Sequence, residues 1–537
     1  MRKHKGWKKV IIICIAISLF IPVLAACTRE APQSSDTVRT LRFASGSGYI
    51  GQNGSAFREF TELFEFEHKN IELEYIETMD QSYYYGMPTP NEERPDPLDA
   101  LKEAMTGPTP PDIVMLEYHQ LPELINENLL LSLDEMIQQE QDFNVDDYVP
   151  AVIEGLRKPG NGTLYALAPL FYSSAVIYNK QHFIDRGVEF PTDGMTWQEM
   201  FDLARRVTVN DENNPVYGFA FNNWYGGGIY ELFYNMSLYT QPLGLKWIDE
   251  ETLQMTANTP GWQEVWQTFA DLYKEGVFPK EPDYSKPREG RFAWDVFLSG
   301  EAAMAVVSYS YLNEVITANN SAANIEGYEP IDWDVVSLPT HPEAPGVGSN
   351  ISYYGIFAIN ANAENVEDAW EFIKFVTGED WARVKSKANY YLVARQSYIQ
   401  PFDGAEYNLN AFLNLTPPEY SNTEMILYEK LPDYWSVQNI GQMKFAEVVN
   451  NGKDIQQALQ EWETEGQMMI QQMLENKDNP NGDFGILPID IQIGIASGEI
   501  DPEDVLTDFE DVEFTEEEII VDDMADDVIE EETAEQE

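Results

Sequence analysis

Thr40-Leu41-Arg42-Phe43-Ala44-Ser45-Gly46-Ser47-Gly48 opens the folded part of this chain, and its reading decides the fold class. Apolar and polar residues alternate through Thr40–Ala44, the period of a strand with one covered face, before the Ser-Gly run breaks it. A helical stretch follows in which Phe57, Phe60, Thr61 and Phe64 fall near one face. Ile71-Glu72-Leu73-Glu74-Tyr75-Ile76 is the next strand. Asp112-Ile113-Val114-Met115-Leu116 is another, entered through the breaker Pro108-Thr109-Pro110-Pro111. Strands alternating with helices predict an α/β sheet domain.

Upstream of this unit, basic residues (Arg2, Lys3, Lys5, Lys8, Lys9) precede a 14-residue apolar run, Val10–Val23, and then Leu24-Ala25-Ala26-Cys27. That order is the order of a secretory signal peptide. The run is shorter than the roughly 18 residues needed to span a bilayer. Leu-Ala-Ala-Cys resembles the lipobox of bacterial lipoproteins, in which the cysteine thiol is acylated and becomes the first mature residue. Two acyl chains, at about 0.8 kcal/mol per buried methylene, hold a protein stably on a membrane. The expectation is a soluble body tethered outside the cytoplasm through Cys27. Residues 28–37, TREAPQSSDT, read as the flexible tether.

Cys14 lies within the leader and no cysteine follows Cys27, so the mature chain has no disulfide, thiolate metal site or cysteine nucleophile. The net charge is −59; removing residues 1–26 takes away five basic side chains and no acidic one, which gives −64. Such a surface repels phosphate backbones and argues against nucleic-acid binding. Residues 501–537 hold 19 of the acidic residues and no basic one, the pattern of a self-repelling tail. The Pro- and Tyr-rich segment 81–98 breaks the α/β rhythm and reads as a surface insertion. Segment 479–490 places Asn479, Asn481, Asp483 and Asp490 at calcium-loop positions, but Phe484 stands where the loop needs glycine. Two later helices are clear. Asn365 caps one with Val366, Ala369, Trp370 and Ile373 on a face, and Asp454 opens one with Leu459, Trp462 and Met469 on a side.

No nucleophile elbow, zinc-protease helix, phosphate-binding loop or dinucleotide fingerprint is present. What recurs is aromatic residues beside small or polar ones: Tyr172-Ser173-Ser174, Trp224-Tyr225-Gly226, Tyr309-Ser310-Tyr311, Tyr353-Tyr354-Gly355 and Tyr434-Trp435. Sugars offer apolar C–H faces on which rings stack and polar edges that carboxylates and amides bond. Any one of these clusters is equally compatible with ordinary packing. Glu117 and Tyr118 follow a strand directly, where its carboxyl end would face a ligand crevice.

The middle of the chain resembles a known family, the maltose-binding-protein-like extracellular solute-binding proteins of family 1. Gly162-Thr163-Leu164-Tyr165-Ala166-Leu167-Ala168-Pro169 resembles its lobe-crossing segment. Val176-Ile177-Tyr178-Asn179-Lys180-Gln181-His182-Phe183, with Gly187 and Met195-Thr196-Trp197-Gln198-Glu199-Met200, is similar to its "YNK" run. Phe297-Leu298-Ser299-Gly300-Glu301-Ala302-Ala303-Met304 and Tyr354-Gly355-Ile356-Phe357-Ala358-Ile359-Asn360 resemble two further blocks in the expected order. The resemblance covers about residues 38–475.

It implies a periplasmic-binding-protein-like α/β fold, two lobes joined by hinge strands with a ligand cleft between them. The implied divisions are a lipoprotein signal peptide at 1–26 and a lipidated tether at 27–37. Lobe 1 begins at 38–168, lobe 2 at 169–303, and 304–352 returns to lobe 1. Residues 353–475 complete lobe 2 with C-terminal helices, and 476–537 form an acidic extension disordered at its end. The resemblance implies ligand contacts at Trp224, Tyr225, Tyr309 or Tyr311, Arg395 and Trp435; the strand end at Glu117 and Tyr118 and the aromatic clusters at Tyr172 and Tyr353 complete the candidate set. No catalytic residue, metal or cofactor is expected. The implied function is capture of a small-molecule carbohydrate, an oligosaccharide first, by a membrane-anchored monomer that delivers it to an ABC permease. Presentation of ligand to a sensor kinase, peptide binding, and a surface glycoside hydrolase are the alternatives.

Overall fold

The computed structural model describes residues 38–476 except 85–94, 141–142, 212–213, 225–227, 283–287, 388–390, 419–426, 428–429 and 432. Cys27 and its leader, the 479–490 segment, the acidic tail and most of the 81–98 segment lie outside the described residues, as does Tyr225.

In chain order the strands are β1 (Arg39–Ser45), β2 (Ile71–Tyr75), β3 (Ile113–Leu116), β4 (Ala166–Leu167), β5 (Leu170–Tyr172), β6 (Ser174–Asn179), β7 (Ile248–Asp249) and β8 (Gln254–Met255). After them come β9 (Met304–Ser308), β10 (Trp333–Ser337), β11 (Ser352–Tyr354), β12 (Ile356–Ile359) and β13 (Leu392–Val393). The principal helices are α1 (Arg58–Glu67), α2 (Pro97–Thr106), α3 (Pro150–Arg157), α4 (Trp197–Val207) and α5 (Ile229–Asn235). The others are α6 (Pro260–Lys274), α7 (Tyr311–Asn320), α8 (Val366–Val376), α9 (Tyr434–Asn451) and α10 (Ile455–Asn476).

The first sheet has the order β2-β1-β3-β12-β4. β1 runs parallel to both β2 and β3, and β12 runs antiparallel to β3 and β4. Leu41 and Phe43 alternate into its core while Arg42 points outward to Glu74 and Glu364, at 3.0 and 2.8 Å. Phe57, Phe60 and Phe64 are fully buried; Phe64 meets Phe372 of α8 edge-on at 5.2 Å. The second sheet, β10-β6-β9, is wholly antiparallel, and residues 217–220 run alongside β9 through the Tyr217–Ala302 and Ala220–Ala305 bridges. β6 is buried at every position: Val176 and Tyr178 enter the core of α4, α6, α9 and α10, and Ala175 and Ile177 enter the core shared with the first sheet. A strand covered on both faces reads as a continuous apolar run, as this one does.

Between them lies a three-stranded sheet, β11-β5-β13. β5 carries the chain from β4 of the first sheet to β6 of the second, and β11 carries it back to β12. This route corrects two of the expected divisions. Residues 304–352, expected in lobe 1, instead supply β9 and β10 of the second sheet. Within 353–475, expected in lobe 2, β12 is an interior strand of the first sheet and α8 packs on it; α9 and α10 join the second core together with Leu415, Leu427 and Leu431. The physical reason is the side-chain pattern: Met304–Val307 is apolar on both faces, and beside β6 Met304 and Val306 enter the second core while Ala305 and Val307 enter the first.

Local signals place the helices. Thr196 and Glu199 form a reciprocal capping box at the start of α4, 3.2 and 2.8 Å. Asn365 Oδ1 accepts from the Asp368 amide, and Asp454 Oδ1 from that of Gln457 at 2.9 Å. Trp462 is fully buried in the second core, its indole N–H on the Val437 carbonyl at 2.9 Å.

Candidate functional site

Parallel neighbours place their carboxyl ends on one edge, where α/β sheets bind ligands. β1 runs into Ser45–Ile50 and β3 into Glu117–Gln120, and the two loops are tied together. The Gly46 amide donates to the Met115 carbonyl at 2.7 Å, and Gln120 Nε2 to the Gly46 carbonyl at 2.9 Å. A Cβ on Gly46 would lie 2.0 Å from Gln120 Oε1, so only glycine permits this approach. Gln81 Nε2 donates to the Gly48 carbonyl at 2.9 Å while its Oε1 accepts from the Ile50 amide. Glu117 closes a capping box with Gln120, and burial pushes its carboxyl above the ordinary range.

The second sheet forms the other rim. Ser174 of β6 pairs with Ser308 of β9 at one end of that sheet. Asn350 Nδ2 donates to Ser174 Oγ at 2.7 Å, and Ser308 Oγ lies 2.9 Å from Ser310 Oγ. The chain alongside β9 leaves the same end as Asn222-Asn223-Trp224. Asp295 holds it there: Asn223 Nδ2 donates to its carboxylate at 2.9 Å, Tyr311 Oη at 2.8 Å, and the Leu298 amide at 2.7 Å. Burial still raises the Asp295 carboxyl despite these bonds. Asn222 Nδ2 donates to Glu231 at the start of α5, whose carboxyl is likewise raised by burial. Trp224 projects with 62% of its surface exposed.

The expected residues therefore divide. Trp224 and Trp435 are exposed, while Glu117 and Tyr172 are half-buried at their sheet edges. Tyr118, Tyr309, Tyr311, Tyr353 and Arg395 are buried, and their polar heads bond the protein itself. Tyr118 Oη bonds the Gly155 carbonyl at 2.8 Å and its ring meets Tyr353 edge-on; Tyr353 Oη reaches the Ala151 carbonyl at 3.2 Å. Tyr309 packs on Phe402 at 4.5 Å and donates to the Gln400 carbonyl at 2.9 Å. Arg395 donates to the carbonyls of Thr377, at 2.7 Å, and Asn144, its guanidinium 4.4 Å from the Tyr148 ring. Buried tyrosine and arginine heads need partners: those of Tyr118, Tyr309, Tyr353 and Arg395 are in the backbone, and that of Tyr311 is the Asp295 carboxylate.

Two further aromatic residues stand at the surface. Tyr230 and Tyr234, at i and i+4 on α5, are 39% and 37% exposed. Tyr234 Oη donates to Asn439 Oδ1 at 2.9 Å, and Gln442 Nε2 to the Tyr230 carbonyl at 3.2 Å. Trp435, Asn439 and Gln442 follow i, i+4, i+7 spacing on α9, so rings and amides from two helices share one surface. That spacing was the available signal. Among the described residues, no group of three or more His, Cys, Asp or Glu is placed to hold a metal ion.

Residues 47–383 match the model of the bacterial extracellular solute-binding proteins. The chain belongs to this family. An sn-glycerol-3-phosphate-binding periplasmic protein of Brucella abortus is 24% identical to this solute-binding protein over 238 residues, 44% of this chain and 53% of the relative. The chain thus spans about half the length of that curated relative. A protein of the same name from Rhizobium meliloti is 22% identical over 74% of this chain and 89% of its own. Among solved structures, a sugar transporter from Rhizobium etli in an open conformation superposes with a TM-score of 0.50 at 18% identity, covering 80% of this chain and 99% of its own. The sugar-binding protein MalE from Xanthomonas citri gives 0.50 at 15% identity, covering 82% and 99%. These likenesses establish the two-lobed fold.

Proposed function

We propose that this solute-binding protein captures a small extracellular carbohydrate between its two rims and delivers it to an ABC permease, anchored to the membrane through acylated Cys27. The observation that carries this reading is the pair of polar rims on two sheets joined by β5, β11 and β13. Glu117 and the Ser45–Ile50 loop stand on one rim, and Asn222, Asn223 and Trp224 on the other. Each offers hydroxyl-bonding groups, and the exposed rings of Trp224, Trp435, Tyr230 and Tyr234 supply stacking faces. The names of the similar proteins, which bind sugars or a glycerol phosphate, agree with a polyhydroxyl ligand.

The mechanism is binding linkage without bond cleavage. A ligand touching both rims favours the form in which they approach, by as much as it binds that form more tightly. The permease then reads the liganded form.

A thermal-shift and calorimetric screen of residues 28–537 against mono- and oligosaccharides, sn-glycerol 3-phosphate and peptides tests the proposal. A ligand at 100 times its Kd raises stability by about 2.7 kcal/mol. Stabilisation by peptides and by no carbohydrate or polyol overturns it.

A further inference from the structure

Two neighbouring asparagines carry the Trp224 loop, and their partners fix which way each side-chain amide faces. Asn222 turns both ends inward: its Nδ2 donates to the Glu231 carboxylate, and its Oδ1 accepts from the Trp224 amide at 2.8 Å. Asn223 differs. Its Nδ2 donates to Asp295 Oδ2 at 2.9 Å, and its backbone carbonyl accepts from the Val296 amide at 2.8 Å. Its Oδ1 has no partner among the described residues and, unlike the unpartnered oxygen of Gln438, keeps access to solvent.

Asp295 makes this orientation obligatory. An ionised carboxylate only accepts hydrogen bonds. This one already takes the Phe297 and Leu298 amides, which can only donate, at 3.0 and 2.7 Å, and the Tyr311 hydroxyl at 2.8 Å. Flipping the Asn223 amide would set its Oδ1 against a carboxylate oxygen, two acceptors with no proton between them. The amide oxygen is thereby held away from Asp295, one residue before the exposed Trp224 ring.

We infer that Asn223 Oδ1 is a specificity-determining contact that accepts a hydrogen bond from a ligand hydroxyl, and that Asp295 is the positioning residue that fixes its polarity. The inference rests on the capture of carbohydrate at the Trp224 rim proposed above. A sugar or polyol hydroxyl has a proton to give. A carboxylate oxygen has none, a phosphate at neutral pH has little or none, and either would also meet the negative charge of Asp295 across one amide. The group selected at this place is a neutral hydroxyl, with any anionic part of the ligand lying elsewhere.

The test titrates the full chain calorimetrically with glucose and maltose, and with analogues in which one hydroxyl at a time is replaced by fluorine, which cannot donate. In the wild-type protein one fluorinated position is expected to weaken binding about tenfold or more. In Asp295→Asn, which lets the Asn223 amide face either way, most of that penalty is expected to be lost. Asn223→Leu, which keeps Asp295 and its other donors, is expected to erase it and decides the matter if Asp295→Asn does not fold. A penalty absent from the wild type, or unchanged in both variants, overturns the inference and leaves carbohydrate capture standing. If neither sugar binds, capture of these sugars fails, and the inference is decided on the ligand-free protein by NMR with isotopically labelled asparagine. The Asn223 amide protons, identified by their loss in Asn223→Leu, are then expected to exchange more slowly than those of an exposed asparagine and to speed up in Asp295→Asn. Exchange at the exposed rate in the wild type overturns the inference.

Discussion

Trp224 and Arg395 show how differently two expected ligand contacts behave once their surroundings are known. Trp224 leaves 62% of its surface in solvent, so Trp224→Ala is expected to weaken ligand binding about tenfold, or ~1.4 kcal/mol, and leave thermal unfolding nearly unchanged. Calorimetric titration beside a melting curve checks both halves. Arg395 is 2% exposed, with its donors on the Thr377 and Asn144 carbonyls and its plane against Tyr148 and Phe143. Arg395→Met leaves buried acceptors unpaired and removes the ring contacts, at a cost of ~3 kcal/mol in urea unfolding, while ligand affinity is expected to hold. Both residues were visible in the sequence as an aromatic or a cation in a suggestive setting. Their difference was not, because exposure depends on what the rest of the chain brings against them.

At the scale of elements, α9 and α10 are joined by charge as well as by apolar burial. Lys444 lies 3.2 Å from Glu461 and 2.8 Å from Glu465, and Lys453 bonds both Glu447 and Glu461. Burial works to raise the Glu461 carboxyl, but the bonds from Lys453, Gln457 and Lys444 outweigh it and hold it down to about 2. A carboxylate depressed in the folded state adds stability above its unfolded value, and that stability is lost as pH falls from about 4.5 toward 2. For partly exposed pairs such as these the amount is up to ~1 kcal/mol. Glu461→Gln is expected to remove this part of the acid slope, measured as urea unfolding between pH 5 and pH 2.5. The Asn365 and Asp454 caps and the apolar stripe of α10 were legible from local spacing. The membership of β9, β10 and β12 was not, since a strand's partners are set by distant segments competing for the same edge.

For the whole molecule, β5, β11 and β13 connect the two sheets, and the proposed mechanism has the rims approach on that connection. Saturating ligand is expected to lower the radius of gyration of the full chain in small-angle scattering, and Trp224→Ala to require more ligand for the same change. A radius that stays constant at saturation removes closure from the mechanism.

By itself the sequence determined the α/β class, the capped helices, and the buried faces of β1 and α10. Each of these is written in the spacing of neighbouring residues, through periodicity, caps and composition. The tertiary structure alone decided that β12 belongs with β3, that Tyr118 and Tyr353 face each other beneath a rim, and that Tyr230 and Tyr234 meet α9 at the surface. These are contacts between residues more than two hundred positions apart, and burial, which separates a scaffold tyrosine from a ligand platform, exists only once such contacts have formed.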